Sequence, residues 1–109
     1  MKFVLGNIRE NIVNLSRKLG YKPISNVGGE LNCVRSLAGG RYPRFHLFIK
    51  ENNNEITFNL HLDQKRVSYP ESTAHSGEYE GELVEREMER IKKIVEGLKL
   101  VDVKFTHKK

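Results

Sequence analysis

From Arg44 to Asp63 the chain alternates. Phe45, Leu47 and Ile49 occupy every second position and Arg44, His46, Phe48 and Lys50 occupy the positions between. After the polar run Glu51-Asn52-Asn53-Asn54 the alternation resumes, with Phe58, Leu60 and Leu62 set against Asn59, His61 and Asp63. Successive side chains of a strand point to opposite faces, so each run has one apolar face and one polar face. Two such runs joined by a short polar segment form a β-hairpin. With 51–54 as a four-residue loop, Lys50 faces Glu55, Ile49 faces Ile56, Leu47 faces Phe58 and Phe45 faces Leu60. Every apolar residue then meets another, which is what fixes a register when one face is buried. This pairing sets His46 diagonal to His61.

The other elements must cover the apolar face of that hairpin. Residues 3–19 carry Val4, Ile8, Ile12, Leu15 and Leu19 at helical spacing, with Leu5 and Val13 beside them. Gly20 suits the residue after a helix end and Pro23 prevents continuation, while Asn7 offers an alternative N-cap. A turn at Asn26-Val27-Gly28-Gly29 leads into a strand near 30–37, where Leu31 and Cys33 alternate with Asn32 and Val34. Val84, Met88, Ile91, Val95 and Leu98 predict a second helix over 81–97, and alternating Val101, Val103 and Phe105 predict a last strand over 100–105. The expected fold class is α+β: a single two-layer domain of order α-β-β-β-α-β, an antiparallel meander with both helices on one face.

A chain of 109 residues accommodates one domain, 1–109, with a modest core. Charged residues make up 30% and hydrophobic ones 38%, a balance that argues against disordered and fibrous classes. The apolar part of Met1-Lys2-Phe3-Val4-Leu5-Gly6 is too short for a secretory signal, and no apolar run is long enough for a membrane span, so no membrane partner is expected. Cys33 has no second cysteine to pair with and reads as a small core residue. The expected location is cytoplasmic. Net charge is unevenly placed. Residues 1–70 hold eleven Lys and Arg against five acids, +6, whereas residues 71–109 hold eight against nine, −1. A basic sheet face bearing Arg44, Phe48 and Lys50, continued by Lys65 and Arg66, suits nucleic acid or another acidic partner.

The polar face of the hairpin also gathers metal-ligand chemistry. His46, His61 and Asp63 share it, and the connection 64–80 adds His75 and Glu78. Imidazole nitrogens together with carboxylate oxygens suit zinc and other divalent ions, and they also move protons. A seventeen-residue connection is long for a compact domain. Tyr69 and Tyr79 carry apolar bodies that gain by burial, so the connection is expected to fold back across the face and bring His75 to His61 and Asp63. The result is either a structural hydrogen-bond cluster or a metal site. No Ser/His/Asp or Cys/His grouping has recognisable catalytic spacing. The expected role is therefore a binding or assembly protein, with catalytic residues unassigned. An exposed Phe48 or an unprotected strand edge would favour homo-oligomers.

The segments Tyr42-Pro43-Arg44-Phe45-His46-Leu47-Phe48-Ile49-Lys50, His61-Leu62-Asp63-Gln64-Lys65 and Ala74-His75-Ser76-Gly77-Glu78-Tyr79-Glu80-Gly81-Glu82 resemble parts of a group of small prokaryotic proteins. The resemblance spans about residues 10–95 and implies no particular activity. The order of the first five expected elements also resembles the double-stranded-RNA-binding domain, with Pro43-Arg44-Phe45 like the start of its second strand. That family's phosphate-holding lysines are replaced here by Glu80, Glu82 and Glu85, which repel phosphate. Asp63-Gln64-Lys65 resembles part of a PD-(D/E)xK nuclease motif, but the earlier acid is missing because Arg44 follows Pro43.

Overall fold

In the computed structural model the described residues are 1–64, 77–78 and 81–107. The hairpin at its centre consists of strand β4 (Arg44–Asn52) and strand β5 (Glu55–Asp63). Its loop is shorter than the sequence suggests. Asn53 and Asn54 form a two-residue turn, with Asn53 at φ +60°. Two-residue turns with left-handed residues follow the twist of the flanking strands, and Asn tolerates that conformation better than most residues. The register therefore moves by two residues. Phe45 faces Leu62, Leu47 faces Leu60 and Ile49 faces Phe58. A shift of two keeps every side chain on its expected face. It also moves His46 from diagonal to directly opposite His61, and sets Arg44 opposite Asp63.

The remaining strands extend this pair. Strand β1 (Lys2–Gly6) lies antiparallel to β5, and strands β3 (Glu30–Ser36) and β2 (Lys22–Val27) follow on the far side of β4. The order across the sheet is β1-β5-β4-β3-β2, and the two-residue strand β6 (Gly77–Glu78) also pairs β5. Since β4 occupies one edge of β5 along its whole length, β6 continues the edge that β1 uses.

Helix α1 spans Ile12–Lys18 and helix α2 spans Glu82–His107. The element order is therefore β1-α1-β2-β3-β4-β5-β6-α2, which corrects the expected α-β-β-β-α-β. The fold is α+β with an antiparallel sheet and two helices. Residues 3–6 are strand rather than the opening of a helix. Phe3 and Leu5 lie on the core side of β1, and the Phe3 ring stacks on Phe58 at 5.0 Å and 8°. Asn7, at φ +60°, turns the chain and donates its N–H to the Asn54 carbonyl at 2.9 Å. The N-cap is Asn11, whose side chain accepts from the Asn14 N–H at 2.8 Å.

The end of α1 follows the expectation. Gly20 takes φ +90°, its N–H donates to the Arg17 carbonyl, and the Tyr21 N–H donates to the Ser16 carbonyl. These two bonds form a Schellman motif. Beyond it, Lys22–Val27 is strand where only a turn at 26–29 was expected. Gly28 and Gly29, both at positive φ, suffice as the hairpin turn to β3. Pro23 is tolerated because β2 is an edge strand with a register shift between Pro23 and Ser25. At the other end, residues 100–105 are helix, not strand. Gly97 has open space around its Cβ position and does not stop α2, since a helical glycine costs only about 1 kcal/mol. Leu98, Val101 and Phe105 also fit helical spacing, so the alternation there was ambiguous.

One cluster of buried side chains joins the layers: Leu15 from α1 and Leu19 at its C-cap, Val84, Ile91 and Val95 from α2, and the inward residues of β3, β4 and β5. Phe45, Leu47, Phe58 and Leu60 lie within it. Cys33 is also buried there, and its Sγ donates to the Leu47 carbonyl at 3.3 Å. Burial pushes the Cys33 thiol up to about 12. No helix among the described residues is long and apolar enough to cross a membrane.

A charged brace crosses the same core. Glu87 of α2 is only 4% exposed. Its carboxylate accepts from the Tyr21 hydroxyl at 2.5 Å, from Arg90 twice at 2.8 Å and from Arg35 of β3 at 3.2 Å. Arg90 also donates to the Leu19 carbonyl at 2.6 Å, closing the end of α1. Burial, then the Glu87 charge, holds the Tyr21 phenol far above its ordinary pKa. Hydrogen bonding to Glu87 raises the Arg90 guanidinium.

Two outcomes are expected. Glu87→Ala leaves Tyr21 and Arg90 without their acceptor and lowers unfolding free energy in urea by about 3 kcal/mol, near the low end for breaking a buried pair because both arginines still reach solvent. A loss under about 1 kcal/mol would contradict the brace. Cys33 should resist a thiol reagent at pH 8 in the native protein and react promptly in denaturant, because neither access nor thiolate is present in the fold.

Candidate metal centre on the open sheet face

The helices cover one face of the sheet. The other face bears the outward residues of each strand, arranged in rows by the register. One row holds Ser36, Arg44 and Asp63, and the next holds Lys22, Val34, His46 and His61. A third holds Asn32, Phe48, Asn59 and Lys2, and a fourth holds Glu30, Lys50, Thr57 and Val4. Strand rise places successive rows about 7 Å apart.

The first two rows converge on Asp63. His46 Nδ1 lies 3.2 Å from Oδ2 and His61 Nε2 lies 2.9 Å from Oδ1, so the two oxygens of one carboxylate serve two different rings. Arg44 Nε approaches Oδ2 at 3.5 Å. The candidate ligand atoms of His46, His61 and Asp63 all lie within 4.8 Å of one another. The two imidazole centroids are 4.8 Å apart, and Phe48 packs against His46 at 4.6 Å and His61 at 6.2 Å. His46, His61 and Asp63 have side chains between 12% and 16% exposed, so water has limited access to the cluster.

On its far side, His46 Nε2 makes a hydrogen bond with Asn32 Oδ1. Both nitrogens of His46 therefore face oxygens, one from an amide and one from a carboxylate. A neutral imidazole has a single N–H to offer. Burial lowers the His46 pKa, outweighing the opposing pull of Asp63, so the doubly protonated ring is disfavoured.

Three of the five ligand candidates, His46, His61 and Asp63, are thus brought together. The fourth and fifth have different fates. His75 lies outside the described residues, as do Lys65, Arg66, Tyr69 and Tyr79. Glu78 is in β6, with its Cα opposite Leu62 and Gly77 opposite Asp63. The described part of the returning chain therefore lies in the plane of the sheet, beside β5, whereas the sequence reading expected a path across the face. Of the proposed partner face, Arg44 is drawn to Asp63 and Phe48 to the two histidines, while Lys50 stands two rows from the histidines.

Two contributors were missed by the sequence reading. Asn32 alternates with Leu31 and Cys33, but an isolated Asn carries no sign that it meets His46. Glu87 had a clearer signal. It stands three residues after Val84 and four before Ile91, within the apolar stripe of the helix, where an acid must find partners. No protein-family model, curated protein or solved structure matches the chain.

Proposed function

We propose that the chain is a binding protein that holds a divalent transition-metal ion on its open sheet face, with His46 Nδ1, His61 Nε2 and Asp63 as ligands. The observation that carries this reading is the pair of acceptors around His46. When its one proton goes to Asn32 Oδ1, the ring is left with a lone pair toward the Asp63 carboxylate at 3.2 Å. Two acceptors at that distance repel, and a cation between them turns the repulsion into coordination. The Asn32 contact then acts as the outer partner that fixes the tautomer of a ligating histidine.

Two of the ligand separations suit such an ion, and the full set of ligand atoms lies within 4.8 Å. Ligands about 2.1 Å from a tetrahedral zinc stand about 3.4 Å from one another. The two His–Asp separations, 3.2 and 2.9 Å, are near that value. Two imidazoles and one carboxylate leave coordination positions for water or a bound molecule, as in sites with open positions. Arg44 would orient the carboxylate rather than displace the ion from it, since its Nε stands farther from Asp63 than either histidine.

A second reading is favoured by that same arginine. With the Asn32 amide turned over, its NH2 donates to His46 Nε2, the Nδ1–H donates to Asp63, and Arg44 supplies the countercharge. The trio is then a closed hydrogen-bond cluster of purely structural use.

Metal analysis of purified protein distinguishes the two. One zinc, manganese or cobalt per chain is expected, and free zinc at a hundredfold excess over Kd should stabilise the fold by about 2.7 kcal/mol. His61→Ala should abolish the stabilisation, and Asn32→Ala should weaken binding about tenfold or more. Absence of bound metal together with an unchanged melting temperature on adding each ion would leave only the structural cluster.

A further inference from the structure

Beside the cluster the open face is hollowed. A groove of about 320 Å³ is lined by Lys2, Glu30, Phe48, Lys50, Asn52, Thr57 and Asn59. These residues belong mainly to the third and fourth rows, immediately next to the row of His46 and His61. Phe48 belongs to both features, since it lines the groove and packs on both histidines.

From these placements we infer that the groove takes a phosphorylated planar molecule of the mononucleotide class, with its ring on Phe48 and its phosphate at Lys2 and Lys50. For the orientation of its ring end, toward the ion, this inference rests on the metal reading above.

Phe48 is the one aromatic floor of the groove, and a planar heteroaromatic ring stacks on such a surface with little regard to its substituents. Asn59 stands directly opposite Phe48, and Thr57 directly opposite Lys50. An amide thus lies between the floor and Lys2, and a hydroxyl lies beside Lys50, suited to the edge of a base or to sugar hydroxyls. Lys2 is the Cα partner of Asn59, so one ammonium comes from β1 and the other from β4. Among the described residues neither lysine makes an ion pair within 4.0 Å, and Glu30, although opposite Lys50 in the register, is not bonded to it. The groove therefore has cationic groups to spend on a ligand anion. Its length matches a small molecule. Lys50 is one row, about 7 Å, from Phe48, and the histidine row is about 7 Å the other way. A ring on Phe48 is within reach of both the phosphate end and the ion.

A long polyanion fits less well. The face also bears Glu30 and Glu55, and Arg44 is already engaged by Asp63. A strand of RNA laid across the rows would meet these acids, while a single nucleotide confined to the groove meets only Glu30. The volume also lies at the small end of the range for ligand clefts.

The test is a titration of the full chain, ¹⁵N-labelled, with adenosine 5′-monophosphate, read from backbone amide shifts in 50 mM salt. The same spectra show whether each variant is folded. Expected shifts fall on residues 48–50 and 57–59, with a Kd below 1 mM. Phe48→Ala and the double variant Lys2→Ala/Lys50→Ala should each raise Kd at least tenfold while the spectrum stays dispersed. Adenosine and ribose 5-phosphate should each bind at least tenfold more weakly than the nucleotide. An absence of shifts at 5 mM, or a Kd unchanged by Phe48→Ala, would overturn the inference. So would a single-stranded oligonucleotide that binds more than a hundredfold more tightly than the nucleotide through residues outside the groove. Zinc binding is measured separately on His61→Ala. A chain that binds nucleotide without zinc loses the metal reading and keeps the groove, and a chain that binds zinc without nucleotide does the reverse.

Discussion

The pairing of β4 with β5 is the contact on which the rest of the molecule depends. Nine residues of each strand are matched, from Arg44 with Asp63 to Asn52 with Glu55. Because side chains alternate, this one register decides both faces at once. Inward, it aligns Phe45, Leu47 and Ile49 with Leu62, Leu60 and Phe58 as a floor for two helices. Outward, it aligns His46 with His61 and Arg44 with Asp63. A slip of one residue would put the histidines into the core and the leucines into water. The core therefore enforces the geometry of the candidate site, and no separate device is needed to bring its members together.

That coupling explains what was legible in the sequence. Alternation reports parity, and parity assigns faces, so the apolar floor and the shared face of His46, His61 and Asp63 could be read directly. Alternation does not report which of two registers of equal parity is adopted. The four-residue loop and the two-residue turn both pair apolar with apolar. What separates them is the left-handed conformation at Asn53, which favours the tighter turn. The difference is a translation of two residues along a strand, and it turns a diagonal pair of histidines into facing ones.

Elsewhere the sequence was ambiguous for a different reason. Lys2–Gly6 and residues 100–105 are short stretches whose apolar residues satisfy a period of two and a period near 3.6 almost equally well. Tertiary contacts decide them. Phe3 has Phe58 to stack on and β5 has a free edge, so the first stretch becomes strand. The second continues a helix already nucleated upstream, and extending a helix is easier than starting a strand. Lys22–Val27 has weak strand character by itself, with Pro23 and two polar residues, and owes its state to the Gly28-Gly29 turn and the edge of β3.

The two polar clusters make an instructive contrast, because they lie on opposite faces of one sheet. Around Glu87 the donors are complete: a phenol and two guanidiniums supply the protons that a buried carboxylate requires. Such a cluster is closed and has nothing left to offer a ligand. Around Asp63 the groups are different in kind. Two imidazoles, each able to act as donor or acceptor, join a single guanidinium, Arg44 at 3.5 Å, and one of them already has an oxygen behind it at Asn32. A carboxylate held by fixed positive charge has one stable arrangement. One held mainly by imidazoles can be rearranged, because each ring can exchange its donor and acceptor nitrogens. The closed cluster fits the work of tying α1, β3 and α2 together. The open one is half-buried beside a lysine-bearing groove, and its imidazoles keep both donor and acceptor capacity.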